Sequence, residues 1–75
     1  MDWVEVVGLL PAADAERVLD AVSIGEQEGA LDDLVACLVR DGVAVPGAVR
    51  DWILAEAEDW DVRDRVEAAL SGRFG

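Results

Sequence analysis

The side chains with the most chemical potential in this chain are carboxylates, and they are concentrated in two short stretches. The first acidic stretch consists of Glu26, Glu28, Asp32 and Asp33. The second acidic stretch consists of Glu56, Glu58, Asp59, Asp61 and Asp64. Clustered carboxylates can bind a divalent cation, transfer protons, or present a negative surface to a protein partner.

The second stretch contains the sequence DWDVRD, whose aspartates begin like the ligands of a calcium-binding loop. Such a loop needs a glycine at its sixth position and a bidentate glutamate at its twelfth. Those positions are occupied by Asp64 and Leu70, so we expect no calcium site. A helical chain of 75 residues also leaves little room for a water-excluding cleft, so we expect no carboxylate-based catalysis.

Other catalytic groups are scarce. The chain has no histidine, which excludes Ser–His and Cys–His pairs and imidazole metal ligands. Cys37 is the single cysteine and lies beside an apolar helical stripe, which predicts a buried structural thiol. The glycines at 25, 29, 42 and 47 do not have the spacing of a phosphate-binding loop. We therefore predict that the chain is not an enzyme and uses no metal or cofactor.

Acidic residues dominate the charge of the chain. It has 17 acidic and 6 basic residues, giving a formal net charge of −11. This charge repels nucleic acid and anionic membranes, so we expect no direct binding to either. It attracts a basic protein partner, although solubility alone is an alternative explanation. Arginines are spaced three or four positions from acids on their own helices, which predicts these ion pairs: Arg17 with Asp14 and Asp20, Arg63 with Asp59 and Glu67, and Arg65 with Asp61.

Trp60 distinguishes a contact surface from a merely solvated acidic face. If Trp60 were exposed among the carboxylates, it would anchor an interface. However, it continues the apolar stripe of a helix predicted at residues 46–59, which predicts a core residue. The candidate partner-binding residues are Glu26, Glu28, Asp32, Asp33, Glu56, Asp59, Trp60, Asp61 and Asp64.

The segment between these stretches has the clearest helical pattern in the chain. Its apolar residues recur three and four positions apart between about residues 28 and 41, on one face of a helix: Leu31, Leu34, Val35, Leu38 and Val39. Gly42 ends this helix and Pro46 suits the first turn of the next. We expect the rest of the chain to be organised around it.

Similar spacing predicts three further helices, at residues 11–24, 46–59 and 61–70. The last of them is expected to turn four apolar residues toward the core: Val62, Val66, Ala69 and Leu70. No glycine or proline separates the last two helices, so a single kinked helix is an open alternative. If they are separate, Asp61 is expected to cap the last one. With a short amino-terminal helix added, the prediction is one all-α domain, residues 1–75, folded as a compact bundle of four to five short helices.

The two ends of the chain differ in their predicted structure. Asp2 and Glu5 have the form of a capping box, which favours a helix at residues 2–10 over a strand, although WVEVV is rich in β-branched residues. The same acids and the lack of a basic region argue against a signal peptide, and no apolar run could span a membrane, so we expect a cytoplasmic protein. Residues 71–75 are predicted to be a frayed tail.

The pattern G-E-x-x-G-A-L-x-x-L-x-x-x-L, followed by a short loop and a proline, resembles small helical bacterial immunity proteins of the MafI and colicin D types. The resemblance covers residues 25–55 and is carried by Gly25, Glu26, Gly29, Ala30, Leu31, Leu34, Leu38 and Pro46. It implies an all-α fold and an acidic face that neutralises a cognate toxin, commonly a nuclease. The toxin would be inhibited because its basic active site is covered.

Three other functions are alternatives for a short, acidic, helical chain. A nucleic-acid mimic or adaptor that binds a basic regulator would have carboxylates in rows spaced like phosphates, whereas here they are clustered and interspersed with arginine. A carrier protein needs Asp-Ser-Leu at a helix start, whereas Ser23 lies in Val-Ser-Ile at a helix end. A small module that forms homo-oligomers is also an open alternative.

Overall fold

A computed structural model describes residues 1–71, and the tail predicted from Ser71 onward lies, after that residue, outside the described part. The elements are α1 (Trp3–Val7), α2 (Ala12–Ser23), α3 (Gln27–Arg40), α4 (Gly47–Asp59) and α5 (Arg63–Leu70). Residues 1–71 contain no β-strand, and none of their helices is long and apolar enough to cross a bilayer. The predicted compact all-α bundle is therefore confirmed.

The amino-terminal segment is a helix, so the strand alternative is wrong. Asp2 Oδ1 accepts a hydrogen bond of 3.0 Å from the backbone N–H of Glu5, which satisfies one of the unpaired donors in the first turn. Val6 is fully buried. The ring of Trp3 lies edge-on to Trp52 of α4, with ring centroids 5.0 Å apart. This aromatic contact packs α1 against α4 and stabilises its position in the bundle.

The apolar stripe of α3 forms the centre of the core. Leu31, Leu34 and Leu38 are fully buried, because α3 packs against α2, α4 and α5. Each such leucine stabilises the fold by about 1.5–3 kcal/mol relative to an exposed one. Cys37 is also buried, as predicted, and Val45 folds in from the loop after α3. The central position expected for this helix is confirmed.

Schellman motifs end both α2 and α3. After α3, the N–H of Val43 donates to the carbonyl of Leu38 at 3.0 Å, and the N–H of Gly42 donates to Val39 at 3.2 Å. Gly42 has a φ of 64°, and Gly25 has a φ of 83° in the matching turn after α2. Only glycine adopts this left-handed conformation without a steric cost, which explains both positions.

α4 and α5 are two helices, so the alternative of one kinked helix is wrong. Val66 and Leu70 turn the inner face of α5 toward the core, as predicted. Ala69 was also expected to point inward, but it is exposed. It lies beside a groove between α3 and α5, which this short helix does not fill.

Candidate protein-binding surface

The turn between α4 and α5 has the same geometry as the two glycine turns, but with an aspartate in the left-handed position. The N–H of Val62 donates to the carbonyl of Ala57 at 2.8 Å, and the N–H of Asp61 donates to Glu58 at 3.1 Å. Asp61 has a φ of 58°, and it is the one non-glycine residue with positive φ in the described part of the chain. It therefore ends α4, and the expectation that it caps α5 is wrong: Val62 holds that position without a side-chain hydrogen bond.

This turn also determines where Trp60 lies. The helical stripe predicts an inward position, but Trp60 follows the last helical residue of α4 and is 38% exposed. Trp60 is the C-cap residue of α4, so the helix ends before it. The prediction of a core residue is wrong, and a role of Trp60 as an interface anchor stays a prediction.

The carboxylates around Trp60 remain largely without intramolecular partners. Glu58 pairs with Arg63 at 3.1 Å. The other four form no ion pair within residues 1–71, and their charges are available to a partner: Glu56, Asp59, Asp61 and Asp64. We define these four carboxylates and Trp60 as the Trp60 surface.

The two aspartates of the first acidic stretch are already paired. Asp32 of α3 binds Arg65 of α5 at 2.6 Å. Asp33 receives two hydrogen bonds from Arg17 of α2, at 2.7 and 3.1 Å, and this guanidinium lowers the pKa of the carboxyl. Both aspartates therefore connect helices of this fold, and that they also contact a partner stays a prediction.

Glu26 and Glu28 are different from these aspartates. Both are exposed at the start of α3 and form no ion pair within residues 1–71. Glu28 lies one helical turn before Asp32, and Asp64 is next to Arg65. Since Asp32 and Arg65 are in contact, the two acidic stretches meet where the amino-terminal halves of α3 and α5 lie side by side.

The structure contains an ionic cluster around the buried carboxylate of Asp14, between α2 and α3, of which the sequence predicts only the Asp14–Arg17 pair. Asp14 is only 8% exposed and binds Arg17 at 3.1 Å and Arg40 at 2.7 Å. Arg17 also contacts Cys37 Sγ at 3.2 Å. Burial, and then the negative charge of Asp33, raise the pKa of the Cys37 thiol. The cysteine is therefore a packed thiol within a structural cluster and not a reactive thiolate.

The sequence gives only a weak signal for this cluster. The i, i+3 spacing of Asp14 and Arg17 predicts their ion pair, which is confirmed. The links to Arg40 and to Asp33 depend on how α2 packs against α3, which spacing along one helix does not reveal. Within residues 1–71, no group of three or more histidine, cysteine or acidic side chains is arranged to hold a metal ion.

Comparison of the chain with models of protein families, with curated proteins and with solved structures found no match. The resemblance to immunity proteins over residues 25–55 therefore remains a prediction from the residues that carry it.

Proposed function

We propose that this chain is an acidic protein-binding module, and that it acts as an immunity protein in the bacterial cytoplasm. In this role it neutralises a cognate toxin with a basic active site, such as a nuclease, by covering that site. The chain contributes contacts and charge rather than catalytic groups. The observation that carries the proposal is the 38% exposure of Trp60, next to four carboxylates that form no ion pair within residues 1–71.

The Trp60 surface has the composition of an interaction site. Tryptophan is enriched among residues that dominate binding energies, and it binds best when a ring of polar groups excludes water around it. The carboxylates around Trp60 can form charge-assisted hydrogen bonds with lysine and arginine of the partner. The net charge of −11 attracts such a partner over several ångströms and accelerates association.

A nuclease is a suitable target because its active site must hold phosphate and is therefore cationic. The carboxylates of the Trp60 surface occupy the same cationic groups that the phosphates would bind. The two backbone hydrogen bonds of the turn at Asp61 help to hold Trp60 and its neighbours in place before contact, which reduces the entropy lost on binding. Glu26 and Glu28 extend this negative surface from the start of α3.

The test is protection of cells from the toxin encoded beside the gene for this chain. Cells that express the toxin with the wild-type chain should grow. We expect the charge reversal Glu56→Lys with Asp64→Lys to abolish this protection. A matched control reverses two exposed acids of α2, Glu16→Lys with Asp20→Lys, and should protect like the wild type.

Two results would contradict the proposal. In the first, the wild-type chain is expressed and folded but gives no protection. In the second, the α2 control loses protection to the same extent as the variant of the Trp60 surface, which would mean that overall charge, and not this surface, is responsible.

A further inference from the structure

A groove runs between α3 and α5 on the side of the bundle that carries the Asp32–Arg65 ion pair. Its volume is about 520 Å³, and its walls are formed by small apolar side chains: Val35, Ala36 and Val39 of α3, with Val66 and Ala69 of α5. Asp32, Arg40 and Arg65 stand at its edges.

The groove is open because the residues at its two rims, Ala36 and Ala69, have small side chains. Ala36 and Ala69 are exposed, while Val35 and Val66 beneath them are buried. Larger residues at the two alanine positions would cover the valines. The volume is within the range of about 300–1,000 Å³ that is typical of ligand sites, and its elongated lining by two helices suits apolar side chains repeated along a third helix.

The charges near the groove indicate which kind of helix it can accept. Arg65 is neutralised by Asp32, and Arg40 by Asp14 and Asp41. Glu28 precedes Asp32 by one turn on the same face of α3, and Asp64 precedes Arg65. Neither of these two acids has an ion pair within residues 1–71, so the end of the groove near the Asp32–Arg65 pair is negative.

We infer that the α3–α5 groove binds the apolar face of a basic amphipathic helix from a partner protein. The apolar side chains of that helix fill the space above Val35 and Val66, and its lysine or arginine side chains reach Glu28 and Asp64. A second copy of this chain, with its own charge of −11, would be repelled. The inference rests on the proposed function only in taking the partner to be basic.

The test uses a fluorescent helical peptide of leucine and lysine with one apolar face, and a scrambled peptide of the same composition. Fluorescence anisotropy gives the affinity of each peptide at fixed salt concentration. We expect the amphipathic peptide to bind the wild-type chain about tenfold more tightly than the scrambled one, because charge alone attracts both.

Variants then locate the binding site. Ala69→Gln places a polar side chain at the rim of the groove and should weaken binding of the amphipathic peptide about tenfold. Ala68→Gln is the matched control, since Ala68 is exposed on the same helix but does not line the groove, and its affinity should equal that of the wild type. Circular dichroism should show the same helix content for both variants.

Equal affinity of the two peptides, or equal binding by the Ala69→Gln and Ala68→Gln variants, would overturn the inference. So would light scattering that shows a dimer disrupted by Ala69→Gln, since a second copy would then occupy the groove. A chain ending at Ser71 that binds the peptide tenfold more tightly would also overturn it, because the groove would then belong to residues 72–75.

The groove and the proposed function can fail separately. If Trp60→Ala abolishes protection from the toxin while Ala69→Gln does not, and the peptide shows no preference for the groove, the inference is wrong and the proposed function stands. If the peptide binds in the groove but the wild-type chain gives no protection, the groove is a binding site and the proposed function is wrong.

Discussion

Replacing Asp61 with glycine should stabilise the fold and weaken partner binding. Asp61 adopts a left-handed conformation, with a φ of 58°, at the position that glycine occupies after α2 and α3. This conformation costs a residue with a Cβ atom about 1–2 kcal/mol, and somewhat less for aspartate. Glycine avoids that cost but loses about 0.5–1 kcal/mol through the greater entropy of its unfolded state.

Electrostatics adds to the effect of Asp61→Gly. This contribution is small, because the Asp61 carboxylate lies both after the carboxyl end of α4, whose dipole it opposes, and just before the amino end of α5, whose dipole it favours. The net gain should therefore be about 1 kcal/mol, which raises the melting temperature of a domain of this size by roughly 4–8 °C. Thermal unfolding followed by circular dichroism measures this change.

Asp61→Ala is the control for this prediction. It removes the same carboxylate but retains the Cβ atom, so it should not gain the conformational part and should melt below Asp61→Gly. If the two variants melt at the same temperature, the left-handed conformation is not the source of the gain. If Asp61→Gly retains full affinity for the basic partner, Asp61 does not contribute to the Trp60 surface.

Three further predictions concern the core and the ionic cluster. Leu34→Ala should cost about 2–5 kcal/mol in urea unfolding, because Leu34 is fully buried, and a loss below 1 kcal/mol would contradict its place in the core. Arg17 lowers the pKa of Asp33 in the folded protein, so the unfolded state binds more protons as the pH falls. The stability from this pair should be fully present above the pKa of Asp33 in the unfolded chain, about 4. It should be lost as the pH falls through the lower pKa of Asp33 in the folded protein. Asp33→Asn should remove that part of the acid dependence of the urea midpoint, and an unchanged profile would contradict the assignment. Cys37 is 2% exposed with a raised pKa, so a thiol reagent should label it much faster in denaturant than in the native protein, and equal rates would show that it is accessible.

Local features of this chain follow from its sequence because they depend on neighbouring residues. The cap at Asp2 and the buried stripe of α3 are set by spacings of three and four residues, and both are present as predicted. The glycine after α3 likewise marks a turn because few other residues tolerate its φ.

The features that were missed depend on packing between helices or on one reversal of the chain. Arg65 was expected to pair with Asp61, four positions earlier, but it binds Asp32 of α3. Arg63 was expected to pair with Asp59 and Glu67, and it binds Glu67 at 3.7 Å but Glu58 in place of Asp59.

Trp60 continues the apolar spacing of α4, but the helix stops one residue before it. Asp61 takes the position that glycine occupies after α2 and α3, and aspartate is a weaker signal for the end of a helix than glycine. The exposure of Trp60 was therefore not predicted.

The most direct test of the Trp60 surface is calorimetric titration of the proposed partner, a basic toxin against which the wild-type chain protects cells, with the wild-type chain and with Trp60→Ala. Because Trp60 is exposed at a turn, the variant should remain folded. The account predicts a loss of at least 2 kcal/mol, or about 30-fold in affinity, as is typical of a tryptophan at the centre of an interface. An affinity of the variant within about threefold of the wild type would show that this surface does not hold the partner.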